Sequence, residues 1–395
     1  MSINLISPEF RANPYPFYAR LRKEPLQQVE PCGLWAISRY EHVSYVLKNP
    51  KLFSSSAVRM ILKPAWLEGV GNPLADSLAV MDPPQHTRLR GMVSQVFTPR
   101  SIARLEESIR TVSAELAGNV SRQGEVDFVQ AFAMPLPAFV IGELLGFPRE
   151  LRPRLKQWSD DTLSIAANKQ ETPERIAYVR QSLSEFQRCL REVLADRRRQ
   201  PREDMMSELL TTEVDGGFLS EDEVLAFCSL LLTGGLETTM YTLSLTVMQL
   251  EERPELLARV RAEPTLIPAL VEEMVRLESP IQLSIRTTAQ EVELDGVKLP
   301  PGAMVAAMLG SANRDERQFE RPDELVLERR AQHLAFAQGV HFCLGAQLAR
   351  MEVRIGLEEL LARCQGFVRP TREVKWNLSL GMRGPTELPI RVIPA

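Results

Sequence analysis

The chain has 395 residues, of which 44% are hydrophobic and 25% are charged, and its formal net charge is -4. This composition is ordinary for a soluble globular protein with a large core. The slightly acidic balance excludes a general nucleic-acid binder, because neutralising phosphates needs a basic surface. Length alone predicts roughly two or three domains.

Cysteine usage and the first residues predict the compartment. The five cysteines are an odd number, are scattered, and include no CxxC pair, which indicates a reducing environment rather than a disulfide framework. The opening stretch MSINLISPEFRANPYP has no basic region followed by an apolar run, so we expect no signal peptide. A cytoplasmic location is predicted.

The predicted elements are mainly helical, with a small β component. WAISRYEHVSYVL predicts a strand that leads into a helix near Tyr40. Thr98-Pro99 and Thr172-Pro173 each place a cap residue before proline, which predicts the start of an amphipathic helix. Asp295-Gly296 lies between alternating residues and predicts a hairpin turn. No repeat or linker marks a domain boundary.

A long apolar helix is predicted in the middle of the chain. Ser220–Glu223 forms a capping box, and the run from Val224 to Leu250 contains a single charge, Glu237. The run is long enough to cross a membrane. However, an acid at mid-span costs about 2.5 to 3.5 kcal/mol, and the flanks lack a Lys/Arg bias. We therefore favour a helix buried in a large core, with a membrane span as the alternative.

The centre of this helix is unusual for a core element. Gly234 and Gly235 cost about 1 kcal/mol each relative to alanine, and Glu237, Thr238 and Thr239 bring polar groups that need partners if buried. One interpretation is a helix crossing that requires small residues, with the threonines bonded to the preceding turn. The other is a locally widened helix that makes room for a ligand and places an acid beside a hydroxyl as a proton relay.

A cysteine-containing loop precedes the last long helix. Apolar residues recur at helical spacing from Leu344 onward, so Cys343 is predicted at or just before a helix N-terminus. There the backbone N–H groups and the positive end of the helix dipole favour a thiolate.

The residues around Cys343 leave several interpretations open. It could be a small buried hydrophobe, a zinc ligand with His333 and His341 at an unusual spacing, or a nucleophile whose base would have to be His341. It could also be a thiolate bound axially to a flat cofactor, because the neighbouring small residues let the loop approach the ring face.

Five segments, in the right order over almost the whole chain, resemble motifs of the cytochrome P450 superfamily of haem-thiolate monooxygenases. FAQGVHFCLG (336–345) is similar to the haem-binding loop, and GGLETT (234–239) to the oxygen-activating segment of the long central helix. EMVR (273–276) resembles the ExxR pair, whose side chains share one helical face. NRD (313–315) resembles the meander, and DPPQHTRLR (82–90) the haem-propionate helix of bacterial members.

The resemblance implies a single domain over residues 1–395 with the P450 fold: a mainly α triangular prism with a small β component, a long central I helix and the cysteine loop before the L helix. It implies an enzyme that inserts one oxygen atom of O2 into a lipophilic small molecule, by hydroxylation or epoxidation. We expect tailoring of a bacterial secondary metabolite such as a polyketide or terpenoid. The alternatives are a fatty-acid or xenobiotic hydroxylase and, outside enzymes, a haem-binding sensor without turnover.

The resemblance also implies roles for individual residues. Cys343 would be the axial ligand of the haem b iron, Glu237 and Thr238 would deliver protons, and Glu273 and Arg276 would stabilise the fold. The remaining cofactor contacts would be donors for the propionates or residues packed at the ring. These contacts are His86, Arg90, Arg286, His341, Phe336, Gly235 and Gly345.

Ten further positions correspond to the substrate pocket of the family. Most of them are apolar, which favours a lipophilic substrate, although each could equally belong to the core. These positions are Met60, Ile61, Leu62, Leu230, Thr233, Gly234, Gln282, Leu283, Leu380 and Met382.

No flavin or nucleotide fingerprint is present in the sequence. We therefore expect electrons to come indirectly from NAD(P)H through a ferredoxin and its reductase, or a flavodoxin. Arg350 and Arg354 would give positive charge to a docking surface on the cysteine side, unless they only form a solvated helix face. A monomer without nucleic-acid binding or membrane insertion is expected.

The sequence departs from the family pattern at two places. Ala337 stands where the family usually has glycine, so a slightly different loop shape is expected. The stretch from Arg329 to His333 is one residue short, which leaves open whether Arg329 or Arg330 joins the ExxR pair.

Overall fold

Helices dominate the computed structural model, which describes residues 3–24, 26–166, 172–214, 217–330 and 332–395. The α-helices are α1 Pro8–Ala12, α2 Tyr15–Leu21, α3 Tyr40–Lys48, α4 Val58–Ile61, α5 Gln85–Val96, α6 Pro99–Ala103, α7 Glu106–Gln123, α8 Pro135–Leu144, α9 Arg154–Ser164, α10 Pro173–Arg199, α11 Met205–Thr211, α12 Glu221–Glu251, α13 Pro254–Ala262, α14 Ile267–Leu277, α15 Leu309–Ala312 and α16 Ala346–Arg363. Short 3-10 helices occupy Ala65–Leu67, Pro73–Asp76, Leu78–Val80, Arg149–Leu151, Pro264–Leu266 and Gly339–His341. The mainly helical prediction is confirmed.

Short strands make up the β component. They are β1 Leu26–Val29, β2 Leu34–Ile37, β3 Phe53–Ser54, β4 Glu125–Asp127, β5 Glu213–Val214, β6 Gly217–Phe218, β7 Ser284–Thr288, β8 Val292–Leu294, β9 Val297–Leu299, β10 Met304–Ala307, β11 Cys364–Val368 and β12 Pro389–Pro394. The largest sheet has the order β1-β2-β10-β7-β3, a second has the order β11-β12-β4, and β5-β6 and β8-β9 pair separately. The predicted hairpin is confirmed as β8-β9, because Asp295 (φ 51°) and Gly296 (φ 76°) form its turn.

The predicted helix starts are found where the cap residues lie. The Thr98 hydroxyl accepts from the Ser101 amide at 3.1 Å, and the Thr172 hydroxyl accepts from the Arg175 amide at 3.2 Å. The first of these helices is short, because α6 ends at Ala103 and α7 begins at Glu106. The apolar spacing continues across this break, so the sequence pattern could not locate it.

The chain forms two compact units, each assembled from separated segments. Unit 1 consists of Met1–Phe53, Glu106–Leu136 and Thr238–Ala395, and unit 2 consists of Ser54–Leu105 and Pro137–Glu237. Unit 1 contains the larger sheets and a core around Ile37, Phe53 and Val305. Because neither unit is continuous in sequence, no linker could reveal the division.

The long central helix α12 is regular. The capping box forms as predicted, since the Glu223 amide donates to Ser220 Oγ at 3.2 Å and the Ser220 amide donates to Glu223 Oε2 at 2.9 Å. The helix is long and apolar enough to span a membrane, but 72% of its most apolar 18-residue window is buried inside the protein, as in a core helix. The α-helical conformation continues over Glu221–Glu251, whereas residues Val129–Ala133 form a π-helical turn.

A buried ion pair lies on α14. Arg276 donates two hydrogen bonds to Glu273, from Nε to Oε2 and from Nη2 to Oε1, and both are 2.8 Å long. Arg329 completes the group, since its Nε donates to Glu273 Oε1 at 2.9 Å, whereas Arg330 is exposed. The structure thereby settles which arginine joins the pair.

Arg276 also binds the segment that leads to the cysteine loop. Arg276 Nη1 donates to the carbonyl oxygens of Asn313 (2.8 Å) and Pro322 (2.7 Å), and its Nη2 donates to that of Glu324 (2.9 Å). A buried ion pair stabilises a fold only when its remaining donors are satisfied in this way.

Replacing Arg329 by glutamine should lower stability, because Glu273 would lose a charged hydrogen bond that is worth about 1.5 to 3 kcal/mol. The matched change Arg330→Gln affects an exposed side chain and should alter stability by less than about 0.5 kcal/mol. Urea unfolding followed by circular dichroism measures both. Equal midpoints for the two variants would contradict a role for Arg329 in the network.

Candidate functional site

Cys343 is half-buried and lies three residues before α16, which confirms the predicted position at a helix start. Its amide donates to the Phe336 carbonyl oxygen at 2.9 Å, and this bond closes the loop. The orphan amides of the first turn of α16 favour a negative sulfur in this neighbourhood.

The backbone of the loop requires special conformations at two residues. Gly339 has φ 70°, and a Cβ there would lie 2.5 Å from the Leu47 carbonyl oxygen, so only glycine fits. Ala337 also lies in the left-handed region, with φ 57°. This conformation costs a non-glycine residue about 1 to 2 kcal/mol, which explains why the family usually has glycine where this chain has alanine.

Open space lies at Gly345, two residues after the cysteine. Gly345 is the N-cap residue of α16, and no heavy atom of a neighbouring residue lies within 4 Å of the Cβ position that a side chain would occupy there. A small residue next to a half-buried thiol, with open space at its side, fits the approach of a haem ring to the sulfur.

Phe336 packs in a charged cluster within unit 1. The Arg350 guanidinium lies 4.3 Å from the Phe336 ring centre and makes two hydrogen bonds to Glu272, of 2.5 and 2.9 Å. His333 Nε2 lies 3.2 Å from the same carboxylate. Burial alone would raise the pKa of Glu272, but the hydrogen bonds and charges of His333 and Arg350 outweigh it and lower the pKa to about 2. Arg350 is therefore held by an ionised partner.

The zinc interpretation gains no support from this cluster. His333 faces Glu272, and no group of three or more His, Cys, Asp or Glu side chains that could hold a metal ion occurs among the described residues.

The expected basic docking surface is largely neutralised. Arg354 pairs with Glu106 at 3.0 Å and with Glu358 at 2.9 Å, and Arg350 pairs with Glu272. Apolar side chains flank the cysteine instead, because Phe342 is 44% exposed and Val340 is 37% exposed. The surface beside Cys343 thus offers more apolar contact and less net positive charge than the sequence suggested.

Two propionate candidates lie on α5 in unit 2. His86 is buried in the first turn, and Arg90 follows one turn later on the same face. Burial lowers the pKa of His86, the Arg90 charge lowers it further, and Asp82 opposes both. His86 is therefore more readily neutral than an exposed histidine.

The other two propionate candidates belong to unit 1. Arg286 is buried on β7 and donates to Ser284 Oγ at 2.6 Å and to the Ile285 carbonyl oxygen at 2.7 Å. His341 is half-buried in the 3-10 helix that precedes Cys343. A guanidinium and an imidazole are both suitable donors to a carboxylate.

The predicted proton-relay residues lie at the middle of α12. Glu237 is only 4% exposed, and its Oε1 lies 3.9 Å from Lys156 Nζ. Thr238 is half-buried, and its carbonyl oxygen accepts from the Thr242 hydroxyl at 2.8 Å.

The two glycines before them differ in their surroundings. A Cβ at Gly235 would lie 2.6 Å from Ile141 Cδ1, so this glycine is required by packing. Gly234 is exposed although Thr233 and Leu236 are buried, and no heavy atom of a neighbouring residue lies within 4 Å of its Cβ position. Close packing therefore accounts for Gly235, whereas Gly234 leaves open space beside the helix.

The predicted pocket positions of unit 2 divide into surface and core. Met60 (78% exposed) and Ile61 lie on α4 and are open to solvent. Leu62 is buried in a cluster against which Leu230 packs, and the Thr233 hydroxyl bonds back to the Ser229 carbonyl oxygen at 2.9 Å.

The predicted pocket positions of unit 1 are also divided. Leu283 is buried in the core with Leu5 and Phe10. Gln282, Leu380 and Met382 line a cleft together with the N-terminal segment. Apolar character alone could not separate these two environments.

Two features of the structure were not predicted from the sequence. Glu352, nine residues after Cys343, is buried on α16, Oε2 has no hydrogen-bond partner among the described residues, and burial raises its pKa well above the usual range. An acid among the apolar positions of α16 was the available signal. Arg11 lines the cleft of unit 1, and its N-terminal position gave no comparable signal.

Comparisons with known proteins place the chain in a family. The model of the family Cytochrome P450 matches residues 8–389. Cyclomarin C epoxidase CymV of Salinispora arenicola is 37% identical over 90% of both chains. The 6-deoxyerythronolide B hydroxylase of Saccharopolyspora erythraea is 34% identical over 98% of both chains.

The fold agrees with this assignment. The structure of cytochrome P450 CYP109Q5 from Chondromyces apiculatus superposes with a TM-score of 0.91 at 38% identity, and covers 100% of this chain and 99% of its own. The family implies a haem-thiolate cofactor and the use of O2. The chain therefore belongs to the cytochrome P450 family, has the P450 fold and is a monooxygenase.

Proposed function

We propose that the enzyme inserts one oxygen atom of O2 into a lipophilic small molecule and thereby tailors a bacterial secondary metabolite such as a polyketide or terpenoid. The names of two relatives, an epoxidase of cyclomarin C and a hydroxylase of 6-deoxyerythronolide B, support this substrate class. The observation that carries the chemistry is Cys343, half-buried before α16 and next to the open side of Gly345. Its location would be the cytoplasm.

Haem b would be held by the cysteine loop and by donors to its propionates. Cys343 would supply the thiolate ligand, which the start of α16 would stabilise. Arg286, His341, His86 and Arg90 would donate to the propionates. When bound, the haem activates O2 and provides the oxidising chemistry.

Protons reach the reaction through Lys156 of α9 and side chains of α12. Lys156 has a side chain that is 25% exposed and lies 3.9 Å from Glu237 Oε1, so it connects this buried carboxyl with solvent. Glu237 holds the proton at its carboxylate oxygen, and Thr238 Oγ1 passes it onward. The open space at Gly234 accommodates the substrate.

Electrons come from NAD(P)H through a ferredoxin and its reductase, or a flavodoxin. The exposed rings and methyl groups of Phe342 and Val340 form the centre of the docking surface. Since Arg350 and Arg354 are already paired, charge contributes less to docking than apolar contact.

Cys343→Ala should remove thiolate ligation, because alanine has no donor atom. The reduced, carbon monoxide-treated wild type should show the red-shifted Soret band of a thiolate complex, and the variant should not. Cys32→Ala, which changes an exposed cysteine, is the matched control and should keep the band. A normal band in Cys343→Ala would overturn the ligand assignment.

Thr238→Ala should uncouple electron use from product formation by at least about tenfold, because a general acid contributes on the order of 10² to 10⁴ in rate. Product formed per NAD(P)H consumed is measured with a substrate selected by spectral titration. Thr246→Ala removes another hydroxyl of α12 that only bonds back to the Thr242 carbonyl oxygen, and it should stay coupled. Equal coupling in both variants would remove the proton role of Thr238.

The rate of reduction by a ferredoxin should fall less than about tenfold when ionic strength rises from about 0.01 to 0.1 M. The Debye length shortens from about 30 to 10 Å over this range, but the docking arginines are paired. Arg354→Gln should likewise change the rate less than about twofold. A steep loss with salt, or strong slowing in this variant, would show that docking depends on a basic patch after all.

A further inference from the structure

A cleft in unit 1 lies between the N-terminal segment and the stretch before β12. It is small and partly open to solvent, so it suits one end of a ligand rather than a whole substrate. Its lining residues are Leu5, Phe10, Arg11, Pro14, Gln282, Trp376, Asn377, Ser379, Leu380, Met382 and Arg383.

The charge of the cleft comes from Arg11. Its side chain is half-buried, Nη2 donates to the Leu378 carbonyl oxygen at 2.9 Å, and the buried Nε has no partner among the described residues. No acidic side chain of the described residues forms an ion pair with it. The other guanidinium, Arg383, is balanced by Glu278 at 3.1 Å and lies over Trp376. Burial lowers the pKa of Arg11, yet a guanidinium stays charged in proteins.

A second donor and an apolar wall complete the cleft. The buried Nδ2 of Asn377 has no hydrogen-bond partner among the described residues. Leu380 and Met382 provide apolar surface in the lining, and Leu378, on the same segment, is 60% exposed. A cation, an amide donor and hydrocarbon are what an amphipathic anion requires.

We propose that this cleft binds the carboxylate end of an amphipathic substrate, held by Arg11 and Asn377, with its hydrocarbon chain against Leu380 and Met382. The inference rests on the proposed function and assigns its lipophilic substrate a free carboxylate at one end. It is connected with that function because Gln282, Leu380 and Met382 are at once cleft residues and predicted substrate-pocket positions. A charged hydrogen bond to a carboxylate is roughly twice as strong as a neutral one.

The test compares dodecanoate with its uncharged methyl ester by calorimetric titration of the haem-loaded enzyme. Dodecanoate should bind the wild type at least about tenfold more tightly than the ester, since the charged hydrogen bonds are made only by the acid. Arg11→Gln should weaken the binding of dodecanoate by a similar factor and leave the affinity for the ester unchanged. Arg20→Gln, an exposed arginine of α2, should alter neither. Asn377→Asp, which adds a repelling charge, should also weaken only the acid.

Fluorescence locates the binding. Trp376 lines the cleft, so dodecanoate should change the tryptophan emission of the wild type but not that of Trp376→Phe. A change that persists in this variant places the ligand elsewhere and overturns the proposal. Equal affinities for acid and ester overturn it too, even if Arg11→Gln fails to fold. The thiolate-type Soret band is recorded on the same samples, so failure of the cleft is distinguished from failure of the monooxygenase assignment.

Discussion

The buried carboxylate of Glu273 is the constraint on which the cysteine loop depends. Its Oε1 accepts from Arg276, from Arg329 and from the Val326 amide. A charge in the core is tolerated only when its partners are all present, so these groups form together or not at all. Asn313 extends the connection, because its carbonyl accepts from Arg276 and its Oδ1 accepts from the Leu334 amide at 2.6 Å. The ion pair thus fixes the chain up to the residues just before the loop.

This anchoring stabilises an unfavourable backbone conformation in the loop. Ala337 has a left-handed conformation, and Gly339 lies against the Leu47 carbonyl oxygen. An isolated peptide would not maintain such a turn, since about 1 to 2 kcal/mol opposes it at the alanine alone. Because the preceding segment and α16 are both held by packing, the loop places Cys343 at a helix start with open space at Gly345.

Several features of the fold and of the cysteine loop were predictable from the sequence, because they depend on local chemistry. The helix caps, the Asp295-Gly296 turn and the position of Cys343 each depend on a few neighbouring residues. Features that depend on partners distant in sequence were not predictable. Arg350 forms an ion pair with Glu272, and Arg11 in the cleft donates a hydrogen bond to a carbonyl oxygen 367 positions later. Apolar positions were the hardest to interpret, since a leucine such as Leu283 looks alike in a core and in a pocket.

The central helix has open space at a glycine, where there is no side chain, while its α-helical conformation is continuous. A widened turn would leave backbone groups without partners in a buried helix, at a cost for each group. Glycine at 234 opens the space while α12 stays regular. Residues four apart lie on one face of a helix, so the opening at Gly234 and the hydroxyl of Thr238 share a face, one turn apart. A substrate at the glycine would therefore lie beside the residue proposed to deliver the proton, and the rigid helix would fix the distance between them.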